Sequence, residues 1–404
     1  MDLSLSADQE IFRENVRRYC REEFANKNRP EGRLPFSREH WSAYAQFGWL
    51  GLLLPEDVGG VDGSIIEVAI ILEEFGRTLV AEPYLSCAVL AAQVMNRASN
   101  PEQRRTLLAP MIRGELLVSL AHSESQGRGD TAFVETVAYR HPNGDYVLCG
   151  NKAVVLNGSF ADKFIVSARL AGPSSNAQEL ALFVVDKDAP GLARRGYYTI
   201  DGRDAAEVTL ENVVVGIDAI LTAGDSALLA IEEATQYAIT GLCAEAVGAM
   251  DNVVKVTAEH LKTRRAYGTT LNRFQALQHR LADMLAEVEL SRSLLYCTFA
   301  AFSTGDRDAR KRAVSAAKSF IGRSAKFVAA NGVQLHGAQG LADDYLIGRH
   351  FKQLTVAEAL FGSSEFHLQQ YSRLSGIRAA APKHDSMTAT QSECVLVQAG
   401  ATGG

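Results

Sequence analysis

The chain has 404 residues, 47% of them hydrophobic, with a formal net charge of −6 and a pI near 5.9. That length supports two or three domains with sizeable cores, and the acidic balance excludes the basic footprint of a nucleic-acid-binding protein. The six cysteines (Cys20, Cys87, Cys149, Cys243, Cys297, Cys394) form no Cys-x-x-Cys or Cys/His cluster, which argues against a metal site or a disulfide framework and for a reducing compartment. No run reaches the roughly eighteen apolar residues of a membrane span. The first residues, Met-Asp-Leu-Ser-Leu-Ser, carry neither a basic segment nor a long apolar core, so a cytoplasmic location is the expectation.

Residues 1–115 read as an N-terminal helical domain. Ser6-Ala-Asp-Gln9 has the form of a capping box, and Ile11, Phe12, Val16 and Tyr19 follow at helical spacing. The pattern continues from Ile65 to Leu79 and from Leu90 to Met95, with Pro101 or Pro110 opening or closing short helices. Residues 116–225 change texture. The runs Asp145-Tyr-Val-Leu, Lys163-Phe-Ile-Val-Ser-Ala, Leu180-Ala-Leu-Phe-Val-Val and Glu207-Val-Thr-Leu alternate with Asn143-Gly, Asn157-Gly, Pro190-Gly and Asp201-Gly, which predicts a middle antiparallel β-domain. Residues 226–380 return to long helices. Leu277, Leu281, Met284, Val288 and Ser291 or Leu294 trace one apolar face, and Val314, Ala317, Ile321, Ala325 and Val328 another, as in a C-terminal four-helix bundle. Residues 381–404, rich in Ser, Thr, Ala and Gly without periodicity, are expected to form a flexible tail.

Two segments of the helical C-terminal half stand out. Arg264-Arg-Ala-Tyr-Gly268 offers a guanidinium suited to bidentate phosphate contact, and Gln334-Leu-His-Gly-Ala-Gln-Gly340 places a glycine-rich turn at a helix end. With Phe274-Gln275 between them, their order and spacing resemble the flavin-dependent acyl-CoA dehydrogenase family, and the resemblance runs over residues 1–378. Gly51-Leu-Leu-Leu-Pro-Glu-Asp-Val-Gly-Gly60 is similar to that family's Gly-Leu-x-x-Pro-Glu segment. The resemblance implies an α+β multidomain fold of helical domain, β-domain and helical bundle, with FAD between the last two. It assigns Arg264, Phe274, Gln275, Gln334, Leu335, Gly337 and Gly340 to the FAD of a neighbouring subunit. It also implies an acyl-CoA substrate and an electron-transfer flavoprotein as acceptor.

The family's reaction removes a proton α to a thioester while hydride leaves the β carbon for the flavin, so it needs a carboxylate beside the α carbon. The usual glutamate position corresponds to Phe361, in Ala357-Glu-Ala-Leu-Phe-Gly-Ser363, and the family's alternative position corresponds to Ala238. Neither side chain can take a proton. Glu245 lies two turns beyond Ala238 on the same helix face, in small apolar surroundings that would raise its pKa. It is either a displaced base or a structural carboxylate paired with an arginine on another helix. Glu358 and Glu365 flank the altered motif and are expected to face solvent.

The flavin-facing half departs from the family too. In Ser123-Glu-Ser-Gln-Gly-Arg-Gly129 the Ser-Glu start is kept, with Ser123 the expected cofactor contact, but the proline is absent and Gly129 replaces the final serine. Val154-Val-Leu156 replaces Trp-x-Thr before Asn157-Gly158. The half offered to a neighbour's cofactor is thus intact and the half facing the chain's own flavin is eroded. Three readings follow. The chain is one member of an α2β2 heterotetramer, completing the FAD site of a homologous catalytic subunit, as in bacterial enzymes for steroid-derived CoA thioesters. It is a self-sufficient homotetramer using Glu245. Or it is a non-catalytic scaffold that retains the fold.

Overall fold

The computed structural model describes residues 5–24, 36–127, 129–170, 179–342 and 344–376; the segment expected to form a flexible tail lies outside them. The first helix, α1 (Ala7–Glu23), begins at the anticipated capping box: the Gln9 amide donates to Ser6 Oγ at 3.2 Å and the Ser6 amide to Gln9 Oε1 at 3.0 Å. Val16 is buried on it, whereas Ile11 faces outward at 63% exposure, so the apolar stripe is narrower than its spacing suggests. Helices α2 (Arg38–Gln46) and α3 (Ile65–Thr78) follow. The expected Leu90–Met95 helix starts earlier, as a π-helical winding over Tyr84–Ala91 that runs into α4 (Ala92–Met95). In α5 (Pro101–Ile112) Pro101 occupies the first turn, where its missing N–H has no partner to lose, while Pro110 sits inside the last turn.

The middle region is one eight-stranded sheet ordered β6-β7-β3-β2-β4-β5-β8, with β1 added against β4. The strands are β1 (Val118–Ala121), β2 (Val137–Arg140), β3 (Tyr146–Leu156), β4 (Lys163–Arg169), β5 (Leu180–Asp186), β6 (Leu192–Tyr198), β7 (Asp204–Val215) and β8 (Ile220–Ala223). Most pairings are antiparallel, as expected from the hairpin turns, but β4 takes both β1 and β2 as parallel neighbours. Hairpin chemistry specifies only sequential partners, so these crossover pairings have no local signature.

The C-terminal half holds α6 (Asp225–Thr263), α7 (Gln275–Ser303), α8 (Arg307–His336), α9 (Leu346–Ala359) and α10 (Ser364–Leu374). A two-residue hairpin, β9 (Arg265–Ala266) with β10 (Thr269–Thr270), joins α6 to α7. Four helices form the anticipated bundle and α10 packs on α8 as a fifth. Met284, Val288 and Ser291 of α7 and Val314, Ala317, Ile321, Ala325 and Val328 of α8 are all buried, the faces their spacing predicts.

Helix α6 crosses α3 with backbones in contact. A Cβ on Gly76 would overlap the Glu245 carbonyl, and one on Gly248 would overlap the Glu73 carbonyl. Charged pairs flank the crossing: Glu73 accepts from Arg77 and from Arg292 of α7, and Arg77 reaches Asp251. Burial alone would push the Glu73 carboxyl up, but the two guanidiniums hold it below the usual carboxylate range. Because neither helix can retreat without opening the core, Gly248→Ala is expected to lower stability by about 3 kcal/mol, read as a fall in the denaturation midpoint. Alanine at the solvent-side Gly305, where an added Cβ meets nothing, serves as control for added bulk; its φ of +70° sets a smaller conformational penalty.

Candidate functional site

Arg264 follows α6 in extended conformation (φ −69°, ψ 128°), and its carbonyl accepts the Leu271 amide at 2.9 Å, which closes the hairpin. Tyr267 and Gly268 both have positive φ, 52° and 80°, the backbone of a tight two-residue hairpin turn, and Tyr267 projects at 93% exposure. Helix α8 ends at His336 because Gly337 turns the chain with φ 62°. Gly340 is buried below, where a Cβ would sit 2.8 Å from the Val333 carbonyl oxygen.

These ends meet at a groove of about 420 Å³ lined by Arg264, Arg280, Gln334, Leu335, His336 and Gly337. The structure thus brings together four residues assigned from sequence to one cofactor. Phe274 and Gln275 do not line the groove; they start α7 beside it, Phe274 as the residue preceding the helix and Gln275 as its first. Among the described residues neither Arg264 nor Arg280 has a carboxylate partner, so two exposed guanidiniums border one concavity. That is chemistry for a phosphate-bearing group, and a pyrophosphate fits it.

His260 and His336 stack in the groove wall with ring centroids 4.1 Å apart. His336 Nε2 lies 3.3 Å from Thr257 Oγ1, and Tyr345 Oη is 2.9 Å from His336 Nδ1. Burial, and then His260, push the His336 pKa down to about 4. Sequence reading missed Arg280 and this histidine pair. The available signal was helical spacing alone, which sets Arg280 one turn beyond Ala276 on α7.

A second, larger cavity of about 520 Å³ lies between the β-domain, the π-helical winding and the loop after α9. Ser123 is exposed at its edge, and Val154 and Leu156 supply methyl groups to its wall without a hydroxyl or an aromatic face. Two carboxylates border it among the described residues, Glu124 buried and held on both oxygens, Asp130 exposed on a turn at its edge. Glu124 accepts from the amides of Glu135 (2.6 Å) and Thr136 (3.1 Å), from Thr136 Oγ1 (2.6 Å) and from Lys152 Nζ (2.6 Å). Burial pushes its carboxyl up, but Lys152 and these donors hold it below the usual range, while burial brings Lys152 down to about 8. Asp130 is exposed and caps its own turn through the Ala132 amide at 2.9 Å.

Phe361 lines the same cavity with a left-handed backbone, φ 59°. Its carbonyl accepts from His367 Nε2 at 2.9 Å, and burial pushes His367 down to about 4. The end of α9 just before it is pinned by buried Lys318, whose Nζ donates to the carbonyls of Ala357 (2.7 Å) and Glu358 (2.8 Å). Glu365 is exposed as expected, but Glu358 is buried, correcting the expectation of a solvent-facing side chain. The reason is capping: its Oε1 accepts the Ser364 amide at 3.1 Å as α10 begins and pairs with Lys326 at 3.1 Å.

Glu245 is 3% exposed and lies in a recess off this cavity. Arg203, from the turn before β7, grips both its oxygens, with Nη1 to Oε2 at 3.2 Å and Nη2 to Oε1; Gln353 Nε2 of α9 donates to Oε1 at 2.8 Å. The surroundings are therefore polar and cationic, not apolar, and the apolar neighbours in sequence point elsewhere on α6.

Sequence models for the acyl-CoA dehydrogenase N-terminal, middle and C-terminal domains match residues 6–115, 119–213 and 229–375 in that order. The chain belongs to the acyl-CoA dehydrogenase family, oxidoreductases that act on CH–CH bonds with FAD as cofactor. It is 28% identical over 375 residues to a probable acyl-CoA dehydrogenase, YngJ, of Bacillus subtilis (strain 168), covering 90% of this chain and 97% of that one. The fold is that of butyryl-CoA dehydrogenase from Megasphaera elsdenii, with a TM-score of 0.85, 21% identity and coverage of 94% and 100%. It is also that of the ChsE4-ChsE5 complex from Mycobacterium tuberculosis, with a TM-score of 0.80, 23% identity and the same coverage. Among the described residues no helix is long and apolar enough to cross a membrane.

His122, His336, His350 and His367 are held below the ordinary value of 6.5 chiefly by burial, His122 near 3 and the other three near 4, so the unfolded chain binds four protons that the folded chain refuses between pH 6.5 and 4. Stability is complete above pH 6.5 and is lost as pH falls toward 4. Each histidine contributes a slope of about 1.4 kcal/mol per pH unit. Denaturant midpoints measured at pH 7 and pH 5 should show this loss, and His350→Gln should flatten it by about one quarter.

Proposed function

We propose that this chain is the non-catalytic member of a heteromeric acyl-CoA dehydrogenase, an α2β2 tetramer in which it completes the FAD site of a homologous catalytic subunit. The observation that carries the reading is the contrast between its two concavities. The groove around Arg264 keeps two guanidiniums without a carboxylate partner among the described residues, and a glycine turn, ready for a phosphate. Among the described residues that line the 520 Å³ cavity, the one buried carboxylate, Glu124, is paired with Lys152, and the other, Asp130, is exposed on a turn at the edge.

In the family reaction FAD, when bound, supplies the hydride acceptor, and the protein must supply the base and hold the thioester. On this reading Arg264 and Arg280 neutralise the pyrophosphate of the partner's FAD, with Gln334 and the Leu335–Gly337 turn closing over its adenine end. Phe361 and Ala238 leave the chain's own cavity without a proton acceptor. Glu245 serves as a strut: proton transfer would require breaking its bidentate pairing with Arg203. Desaturation of the acyl-CoA, steroid-derived in one version of this reading, is then performed by the partner, and an electron-transfer flavoprotein reoxidises the flavin. The alternative, a homotetramer working through Glu245, has that ion pair against it.

The full-length chain expressed alone should show no flavin bands and no acyl-CoA-dependent dye reduction, and both should appear on co-expression with its catalytic partner. Flavin binding with turnover by the chain alone would overturn the proposal. In the assembled complex, Arg264→Ala should lower FAD content at least about tenfold, as expected for loss of a charge-assisted phosphate contact, without changing assembly on size-exclusion chromatography. Glu245→Gln in the same complex should leave the rate within about twofold of native while lowering the chain's melting temperature, since it removes one charge of a buried pair. A rate loss of several orders with FAD retained would transfer the base role to Glu245.

A further inference from the structure

The large cavity does not end where the eroded flavin wall ends. Ser86, Val154, Leu156 and Leu360 also border a recess of about 80 Å³, on the order of two water molecules in size, enclosed by the β-domain, α6 and α9. An apolar acyl chain would ordinarily terminate among aliphatic side chains alone, but this recess sets Asn157, Asp201 and Arg203 among its aliphatic ones.

Two of its lining residues are incompletely satisfied. Asn157 is 5% exposed, held in a left-handed turn with φ 58°, and its Nδ2 has no hydrogen-bond partner among the described residues. The side chain of Asp201 is 3% exposed. Thr199 Oγ1 bonds its Oδ1, but Oδ2 makes no hydrogen bond and stands 3.5 Å from Arg203 Nε. Buried polar groups are rarely left this way unless something else meets them. The unmet set is one donor and one acceptor. The remaining ionisable lining is Glu82, Asp204 and Glu245 against Arg203, so the recess is net acidic and disfavours an anionic group. A hydroxyl is the smallest neutral group that both accepts and donates, which suits so small a recess; a ketone only accepts, and a methyl does neither.

We propose that this chain's own cavity is a binding site for an acyl-CoA whose acyl group ends in a hydroxyl, seated between Asn157 and Asp201. The proposal rests on reading the cavity as an acyl site, and it is independent of whether the chain turns the ligand over.

The test is titration calorimetry of the full-length chain with medium-chain acyl-CoAs that end in a hydroxyl, a methyl ketone, a methyl or a carboxylate. The hydroxyl-terminated ligand should bind about tenfold tighter than the methyl-terminated one, the effect of two hydrogen bonds, and the carboxylate should bind weakest. Asn157→Gly keeps the left-handed backbone and removes the donor, so the hydroxyl advantage should fall to about threefold. Asp201→Asn keeps the size of the side chain but turns the unmet acceptor into a donor, so the ketone should overtake the hydroxyl. Equal binding of hydroxyl and methyl ligands, an order unchanged in both variants, or no binding of any of the four would overturn the proposal. FAD content of the assembled complex carrying the same variants reports separately on the partner-completing role, which neither substitution should disturb.

Discussion

The contact between α3 and α6 governs the rest of the structure. At Gly76 and Gly248 each helix presses its backbone on the other's carbonyls, so these two elements have one relative position and no slack. Because α6 runs 39 residues, that one contact fixes two distant places at once. Its middle carries Glu245 to the rear of the large cavity, and its end delivers Arg264 to the groove near α8. The Arg203–Glu245–Gln353 linkage then ties β-domain, α6 and α9 through one carboxylate. A charge buried in that way is affordable only because both oxygens are matched, and removing one partner would strand the others.

The two concavities differ in electrostatic state. In the groove the arginines have no acid partner among the described residues, and burial lowers the pKa of both nearby histidines, so its positive charge resides in two guanidiniums. Around the cavity, among the described residues, the buried charges engage one another or the backbone: Glu124 with Lys152, Lys318 with the end of α9, Glu245 with Arg203. One surface offers unpaired cations to an external anion, and the other holds its buried charges in contacts within the protein. On the proposed reading, this difference, more than any single substitution, separates a chain that completes a site from one that performs chemistry within its own.

Legibility in the sequence followed the range of the interactions. The capping box at Ser6, the alternating strands and the helix faces around Val288 and Ile321 are set within a few residues, and all are present. The absence of a proton acceptor at Phe361 and Ala238 could likewise be read directly, since it concerns residue identity alone. Glu358 was misjudged as solvent-facing because its partners, the Ser364 amide and Lys326, are joined to it by a turn and by a neighbouring helix. Arg280 was overlooked because an exposed arginine on a helix has no distinguishing local context; only the end of α8 opposite makes it part of a groove.

Glu245 shows the division most clearly. By itself the sequence determined that a carboxylate stands in a run of small residues, that the helix is long, and that Phe361 and Ala238, where the resemblance places the family's base, carry no proton acceptor. It could not determine what faces the carboxylate, because Arg203 is 42 residues away in another domain and Gln353 is 108 away on another helix. Local chemistry follows from covalent neighbours and helical period. Whether a charge is buried free, buried paired or exposed depends on which distant groups packing brings within hydrogen-bond reach, and only the tertiary structure decides that.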